Sequence, residues 1–600
     1  MRRNYVSGMS RREALQGMVA AAPGMGMALA GRETVMSGYV PPVRPGKPAI
    51  SNDVAYWVTN SLERVFPNSP VGSAEPLHLV ALRGGRIAFQ IVCRSKRTSM
   101  IRARAEVLGA EGMAMAIRRV GYVPLAGLST DVPLGEVDGV GHLPGLAPDP
   151  LFPEATGQAG PEANLAFWVS LTVPPDARPG MYALTARMTI EDEFRFPAWT
   201  GVKPWSVDLP VRVEVVPFTL APRRDFPVTH WVSADSIWEW YGIEPCGDRF
   251  WALAEAYLAN LVTHNVNVAY VPMINNRHEL LKRPAQLLRV RRGEDGYEFD
   301  FSDVRRWTRL AIKGGAEYVE WPHFFTPAPT SGKHPQRIYE RWDGFGPLLW
   351  PADLPADSDT YRGFLGQFMP VFEHFLREEG LFSKSLFHCA DEPDGDVQIQ
   401  DYRIARGILR EFAPWMEVID AMSDTRFATE KLTDMPVPSI VTAPEFAKAG
   451  CPAWVYFCCG PRGGYLQRLH DTPLPKLRMA GWLFYRLGAR GFLHWGHNYW
   501  FRFCTAEIID PYQHGDVGAW PGMPYGDAFV VYPGADGPVD SIRWEVLADS
   551  LQDYAMLQAA DVDPQGPLLS ALIDYQDFPK SEAWIQQTLA KVVALRAGTT

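Results

Sequence analysis

Two carboxylic acids stand side by side at Asp391 and Glu392, within the stretch SLFHCADEPDG (385–395). An apolar run that includes Leu386 and Phe387 precedes them and a Pro-Asp-Gly turn follows, which is typical of a buried strand that ends in a tight turn. Neighbouring carboxylates repel, and burying either one costs several kcal/mol unless it is paired or protonated. We therefore expect a chemical function to offset that cost.

The same residues also have a purely structural interpretation. Asp391 could cap a following helix, and acidic residues before Pro and Gly are common in solvated turns. The position in the fold decides between the two. At the carboxyl end of a buried barrel strand the functional interpretation is favoured.

Polar and aromatic residues recur at the ends of the other predicted strands, among them Glu320 and Asp420. Acids, imidazoles and aromatic rings around one edge indicate a pocket for a polar, ring-shaped ligand, which is a sugar site in outline. Each aromatic ring has a core interpretation as well. The candidate substrate-binding residues are His230, Asn265, Trp321, His323, His388, Trp454, Tyr456, Trp495, Asn498 and Trp500.

The elements that would position these residues alternate between strands and amphipathic helices from about 226 to 560. This order predicts a (β/α)₈ TIM-type barrel, whose active site lies at the carboxyl ends of its strands. A helical tail is expected over 561–600. The eight candidate strands are FPVTHWV (from 226), VNVAYV (266), EYVEW (317), SLFHCAD (385), MEVID (416), PSIVT (438), AWVYFC (453) and GFLHWG (491).

In the preceding part of the chain, apolar residues recur with a different period. Runs such as NLAFWVSLTVP and LPVRVEVVPFTL alternate apolar and polar residues and are cut by Pro and Gly. This predicts antiparallel strands and a β-sandwich over 50–220, with a linker over 31–49 before it.

Residues 1–30 differ in composition from the rest. Arg11 and Arg12 precede a weakly apolar Ala/Gly/Met stretch that ends in Ala28-Leu29-Ala30. This predicts a twin-arginine-type export signal, and so a periplasmic or secreted protein, although Ala14 stands where such a signal usually has Phe. The alternative is a disordered start. The apolar run is too short and broken for a membrane-spanning helix.

Charge and cysteine content narrow the class of protein. The net charge of −10 and the lack of a dense Lys/Arg stripe argue against a nucleic-acid partner. Seven cysteines without a CxxC pair indicate neither a zinc site nor a disulfide scaffold. No ligand cluster with metal spacing is visible, so we expect no metal and no cofactor.

Several stretches together resemble the catalytic domain of glycoside hydrolase family 123. They are FHCADEP, AWVYFCCGP, RMAGWLFYRLGARGFLHWGHNYW and GDAFVVYPGADGPVDSIRWEVLADSLQDYAML, while AFQ (88–90) and VEVVPFTLAP resemble the β-sandwich that precedes this domain. The resemblance implies a glycan substrate and an exo-acting β-N-acetylgalactosaminidase that retains configuration by substrate-assisted catalysis. It also implies roles for the acidic pair. Glu392 would be the general acid and base, and Asp391 would orient the 2-acetamido group and stabilise the oxazolinium.

Two alternatives stay open at this point. A glycosidase for another glycan would combine Glu392 with a distant carboxylate nucleophile, for which Asp420, Glu445 and Asp527 are the candidates. A carbohydrate-binding protein without activity would keep the aromatic rings, but it has no need of two adjacent ionisable acids.

Overall fold

The computed structural model describes residues 54–73, 75–95, 98–195, 198–199, 203–274, 282–326, 332–519 and 522–597. The predicted export signal (1–30) and linker (31–49) lie outside this part of the chain. Within it, no helix combines the length and the apolar character that crossing a membrane requires.

The first structural unit is a sandwich of two sheets, as predicted. One sheet has the order β1-β3-β8-β5-β6, and the other β2-β11-β9-β4-β7 with β10 on β9. A shared core packs Phe89 and Phe167 of the first sheet against Leu184 and Val213 of the second. The strands are β1 Val54–Asn60, β2 Leu77–Arg83, β3 Arg86–Ser95, β4 Met100–Leu108, β5 Ala114–Leu125, β6 Gly145–Phe152, β7 Thr156–Ala159, β8 Asn164–Thr172, β9 Gly180–Arg195, β10 Ala198–Trp199 and β11 Trp205–Thr219.

The second unit is a closed ring of eight short parallel strands. Six of them form one sheet in the order β19-β16-β13-β12-β23-β22, and β20 pairs with β21. Parallel bridges from Phe387 to Val418 and from Ser439 to Tyr456 close the ring. The predicted (β/α) barrel is thereby confirmed. Its strands are β12 Val228–His230, β13 Val268–Tyr270, β16 Tyr318–His323, β19 Ser385–His388, β20 Ile419–Ala421, β21 Met435–Val437, β22 Val455–Tyr456 and β23 Phe492–His494.

The sixth barrel strand begins earlier than PSIVT (438–442) predicts. Its three residues, Met435–Val437, pair with β20. Pro438 has no amide hydrogen to continue a ladder, so the chain switches partners there: the Pro438 carbonyl accepts from Tyr456 of β22. The apolar run after Pro438 therefore joins two neighbours instead of extending one strand.

Helices and small sheets surround the ring. Hairpin strands from two loops combine in the order β15-β14-β17-β18 on the carboxyl side of β13 and β16. These strands are β14 Arg289–Arg292, β15 Tyr297–Asp300, β17 Tyr339–Arg341 and β18 Phe345–Leu348, with β24 Val531–Pro533 and β25 Pro538–Asp540 near the end of the barrel. The α-helices are α1 Ala234–Tyr241, α2 Asp248–Thr263, α3 Ser302–Gly314, α4 Asp359–Glu378, α5 Gly395–Phe412, α6 Arg426–Thr429, α7 Ala443–Lys448, α8 Leu474–Arg478, α9 Ala480–Arg486, α10 Ile542–Ala559 and α11 Glu582–Ala597.

Helix α10 lies between the barrel and the sandwich and is buried on nearly all sides. Arg118 of β5 donates to Glu545 at 2.9 Å, and Arg86 of β3 lies 3.4 Å from Asp549. On its other side α10 packs against α8 and α9. The two units are thus joined through a buried helix by charged hydrogen bonds.

Candidate active site

Asp391 and Glu392 follow β19 directly, so they lie at the carboxyl-terminal edge of the barrel. Their exposed fractions are only 6 % and 9 %. Consecutive residues of an extended chain point to opposite sides, but Glu392 has a left-handed backbone with φ of 43°. This turn lets both side chains face the same side, and both of their charges act on the phenol of Tyr456.

Tyr456, at the end of β22, holds Glu392. Its hydroxyl donates to Glu392 Oε1 at 2.6 Å. Burial, and then the charge of Glu392, raise the pKa of Tyr456 well above its ordinary value. The phenol therefore stays protonated and remains a hydrogen-bond donor to the carboxyl group.

His388, the last residue of β19, lies between two carboxylates. Its Nε2 is 2.8 Å from Glu320 Oε1 and its Nδ1 is 3.1 Å from Asp420 Oδ1. Because carboxylates only accept, both ring nitrogens carry hydrogen, which makes the ring an imidazolium. Burial alone would lower the pKa of His388, but Asp420 and Glu320 raise it to about 10.

Both of these carboxylates are held by further donors. Glu320 accepts from Trp231 Nε1 at 2.8 Å and from the Thr229 hydroxyl. Asp420 accepts from the Tyr402 hydroxyl at 2.6 Å and from the Cys389 amide at 3.1 Å. Burial raises the pKa of Asp420, and His388 opposes that rise. This bonding leaves Asp420 poorly placed to act as a nucleophile.

His323, at the end of β16, connects this group to the acidic pair. Its ring packs against that of His388 at a tilt of 33°, with centroids 4.4 Å apart. Its Nε2 lies 3.9 Å from Asp391 Oδ1 and 3.8 Å from Asp420 Oδ1. The structure thus brings together five of the predicted site residues: Asp391, Glu392, His323, His388 and Tyr456.

A second cluster lies beyond the end of β23. Trp495 Nε1 donates to Asp527 Oδ2 at 2.9 Å. The pKa of the Cys458 thiol is raised well above its ordinary value by the hydrogen bond of Cys458 with Cys459 and by burial. The charges of Asp527 and Glu392 add to this rise. The charges of Asp527 and Glu392 therefore act on the same thiol. Trp495 is the predicted aromatic residue that this cluster contains.

The other predicted residues are engaged elsewhere. His230 packs edge-on against Trp544 of α10, and Asn265 donates to the Ala548 carbonyl of the same helix. Trp321 donates to the Ser385 hydroxyl at the start of β19, and Trp454 precedes β22. Asn498 bonds to both backbone groups of Ser233, and Trp500 donates to the Val531 carbonyl.

Alternation along the strands explains these positions. Thr229 and Trp231 share one side of β12 and reach Glu320, whereas His230 points to the outer helices. The sequence reasoning counted polar residues at strand ends without separating the two sides, and it overlooked Thr229 for that reason. Tyr402 on α5 carried no signal beyond helical periodicity. Arg468, which donates to His494 Nδ1 at 2.7 Å, lies in a loop without a pattern.

Two groups of side chains have the spacing of metal ligands within the described residues. His323, His388 and Asp420 offer ligand atoms within 4.8 Å of one another, as do His264, Asp540 and Glu545. In the first group both nitrogens of His388 already face carboxylates, so each nitrogen carries a hydrogen and donates it to a carboxylate. In the second, Arg118 already binds both acids.

A parallel barrel with buried acids at its carboxyl edge is an arrangement that can support glycoside hydrolysis. Residues 231–560 match the family described as glycoside hydrolase 123, catalytic domain. The chain belongs to glycoside hydrolase family 123.

One solved structure supports the fold. A family 123 glycoside hydrolase from Clostridium perfringens, solved in work on glycolipid glycan hydrolysis, has a TM-score of 0.67 at 13 % identity, over 91 % of this chain and 98 % of that one. A β-galacturonidase of family GH2 from Eisenbergiella tayi (TM-score 0.29, 10 % identity, 84 % and 73 % covered) and a β-D-glucuronidase from Dictyoglomus thermophilum (0.29, 8 %, 89 % and 100 %) score too low to inform it. No curated protein matches this chain significantly.

Proposed function

We propose that this glycoside hydrolase releases terminal β-linked N-acetylgalactosamine, or a closely related N-acetylhexosamine, by exo-acting, retaining, substrate-assisted catalysis. The observation that carries the proposal is the geometry of the acidic pair. Asp391 and Glu392 are adjacent and buried, Glu392 is held by the Tyr456 hydroxyl at 2.6 Å, and the charges of both acids act on that phenol. A two-carboxylate retaining enzyme needs a nucleophile about 5 Å across the sugar from its acid, whereas a nucleophile carried by the substrate removes that requirement.

In the first step the acetamide oxygen of the substrate attacks C1 while the glycosidic C1–O bond breaks. Glu392 gives its proton to the leaving oxygen. Asp391 accepts from the acetamide N–H and stabilises the positive oxazolinium that forms. In the second step water attacks C1, the bond from the acetamide oxygen to C1 breaks, and Glu392 takes the proton. Two inversions at C1 retain the configuration.

The alternative nucleophiles differ in how well they fit. Glu445 is exposed on the short helix α7, and Asp420 is held by His388 and Tyr402. Asp527 is the one candidate that shares a neighbour, Cys458, with Glu392. A double displacement through Asp527 on a sugar without an acetamido group is therefore the second candidate function.

Aryl glycosides with and without a 2-acetamido group separate the two functions. We expect purified protein to hydrolyse 4-nitrophenyl N-acetyl-β-galactosaminide and to leave 4-nitrophenyl β-galactoside intact. A thiazoline analogue of the bicyclic intermediate should inhibit strongly. Hydrolysis of the plain galactoside, with a sugar trapped covalently on Asp527, would replace the substrate-assisted mechanism by the second candidate.

A further inference from the structure

Acidic and imidazole side chains alternate in a buried row that ends at Asp391. Glu320 contacts His388 at 2.8 Å, and His388 contacts Asp420 at 3.1 Å. His323 follows, 3.8 Å from Asp420 and 3.9 Å from Asp391. We call these five residues the carboxylate–imidazole row.

The row is built from separate elements and is closed to solvent. Glu320 and His323 belong to β16, His388 to β19 and Asp420 to β20. Their exposed fractions are 1 % or less, and that of Asp391 is 6 %. Ionisable groups are costly to bury, and apolar residues could fill the same space at a lower cost. A purely structural role therefore accounts poorly for four such groups.

We infer that Glu320, His388, Asp420 and His323 are positioning residues that fix the orientation and negative charge of Asp391 for the 2-acetamido group. This inference rests on the proposed function. His323 faces Oδ1 of Asp391, so it restrains the rotation of the carboxylate. The ring of His388, held by hydrogen bonds on both sides, packs against His323 and restrains it in turn.

The protonation of His388 supports the assignment. Its ring nitrogens lie 2.8 Å from Glu320 and 3.1 Å from Asp420, and carboxylates accept hydrogen bonds, so both nitrogens carry hydrogen. The raised pKa of His388 agrees with a ring that keeps its proton. Loss of that proton would leave one of these buried carboxylates facing an unprotonated nitrogen, which would be costly.

The first test removes the far end of the row. Glu320→Gln keeps the size of the side chain and an acceptor for Trp231, but it removes the charge that faces His388. We expect kcat on the 2-acetamido aryl glycoside to fall by roughly 10–10²-fold with KM little changed, as for a slight misplacement of a reacting group. Thermal unfolding checks the fold, and Tyr402→Phe, which loosens Asp420, serves if Glu320→Gln does not fold.

Double variants show whether the effect passes through Asp391. With Asp391→Asn already present, Glu320→Gln should lower kcat less than twofold further, because the group it acts through is gone. With Glu392→Gln present, Glu320→Gln should lower kcat by the same factor as it does in wild type. Equal factors in both backgrounds would reduce the row to a structural element and overturn the inference.

Nitrogen NMR of ¹⁵N-histidine-labelled protein provides an independent readout. The signals of His388 and His323 are identified by their loss in His388→Gln and His323→Gln. His388 should be imidazolium at pH 7, and a neutral ring at this position would overturn its assigned role. So would a loss of activity with a chelator that a divalent ion reverses, because the row would then hold a metal.

Failure of the proposed function looks different from failure of this inference. If wild type ignores the 2-acetamido group, or if Asp391→Asn keeps full activity, the substrate-assisted mechanism is itself wrong. If Asp391→Asn is strongly slowed as expected but the double variants are additive, only the row loses its role.

Discussion

At the scale of single residues, the left-handed backbone at Glu392 is the feature that makes an adjacent pair usable. Glu392→Gln removes the proton donor, so hydrolysis of natural glycosides should fall by roughly 10²–10⁴-fold. Substrates with a good leaving group need less protonation and should suffer much less, whereas Asp391→Asn should slow both kinds alike. Measuring kcat/KM against leaving-group acidity tests this.

A control for this pair is available on the surface. Glu445→Gln changes an exposed carboxylate on α7 and should leave kcat/KM unchanged for every leaving group. A loss in Asp391→Asn that grows steeply with leaving-group basicity would reverse the two roles.

The charge of His388 predicts how stability changes with pH. Its pKa is about 10 in the folded protein and about 6.5 in an unfolded chain. The raised value stabilises the fold fully below about pH 6.5, and this contribution is lost as pH rises toward 10. As pH rises over this range, the free energy of unfolding measured in urea should fall more steeply for wild type than for His388→Gln. The difference should be up to about 1.4 kcal/mol per pH unit. Parallel curves for the two proteins would show that the ring is not charged.

At the scale of elements, periodicity predicted more of the fold than of the site. Seven of the eight strand segments overlap the observed strands, and five contain them whole, because apolar runs before polar ends are a local property. The sixth was displaced because Pro438 ends one pairing and begins another. Which side of a strand faces the inside of the barrel is not determined by the local sequence. His230 faces α10 and Thr229 faces Glu320 because of the way the ring of strands closes.

Helix α10 yields a prediction about stability. Glu545→Gln would leave Arg86 and Arg118 partly buried without their common partner. Removing one partner of a buried pair costs about 3–5 kcal/mol, and urea unfolding should show a loss of that order. Because the Gln side chain at position 545 would be buried, water could do little to replace the lost charge.

An exposed pair provides the comparison. Arg291 and Glu298 are 40 % and 47 % exposed, and such pairs contribute at most about 1 kcal/mol. Glu298→Gln should therefore hardly change the free energy of unfolding. Similar losses in the two variants would mean that α10 does not join the sandwich to the barrel through charge.

At the scale of the whole molecule, we propose export by the twin-arginine route, on the basis of residues outside the described part of the chain. Changing Arg11 and Arg12 to Lys should retain the protein in the cytoplasm with its first thirty residues uncut. Cell fractionation and N-terminal sequencing of the mature protein measure this. An unchanged location with an intact N-terminus in wild type would disprove the signal.

The place of β12 in the ring decides where the chain can be cut to give a fragment that folds. Residues 231–560 define the catalytic domain by family similarity, but β12 ends at His230 and pairs with both β13 and β23. A recombinant fragment cut at 231 would lose the strand that closes the circle, and it would also expose the charged face of α10. We expect that fragment to be insoluble, while one spanning 54–597 remains soluble and monodisperse. The smallest expressible enzyme is thus the sandwich and barrel together.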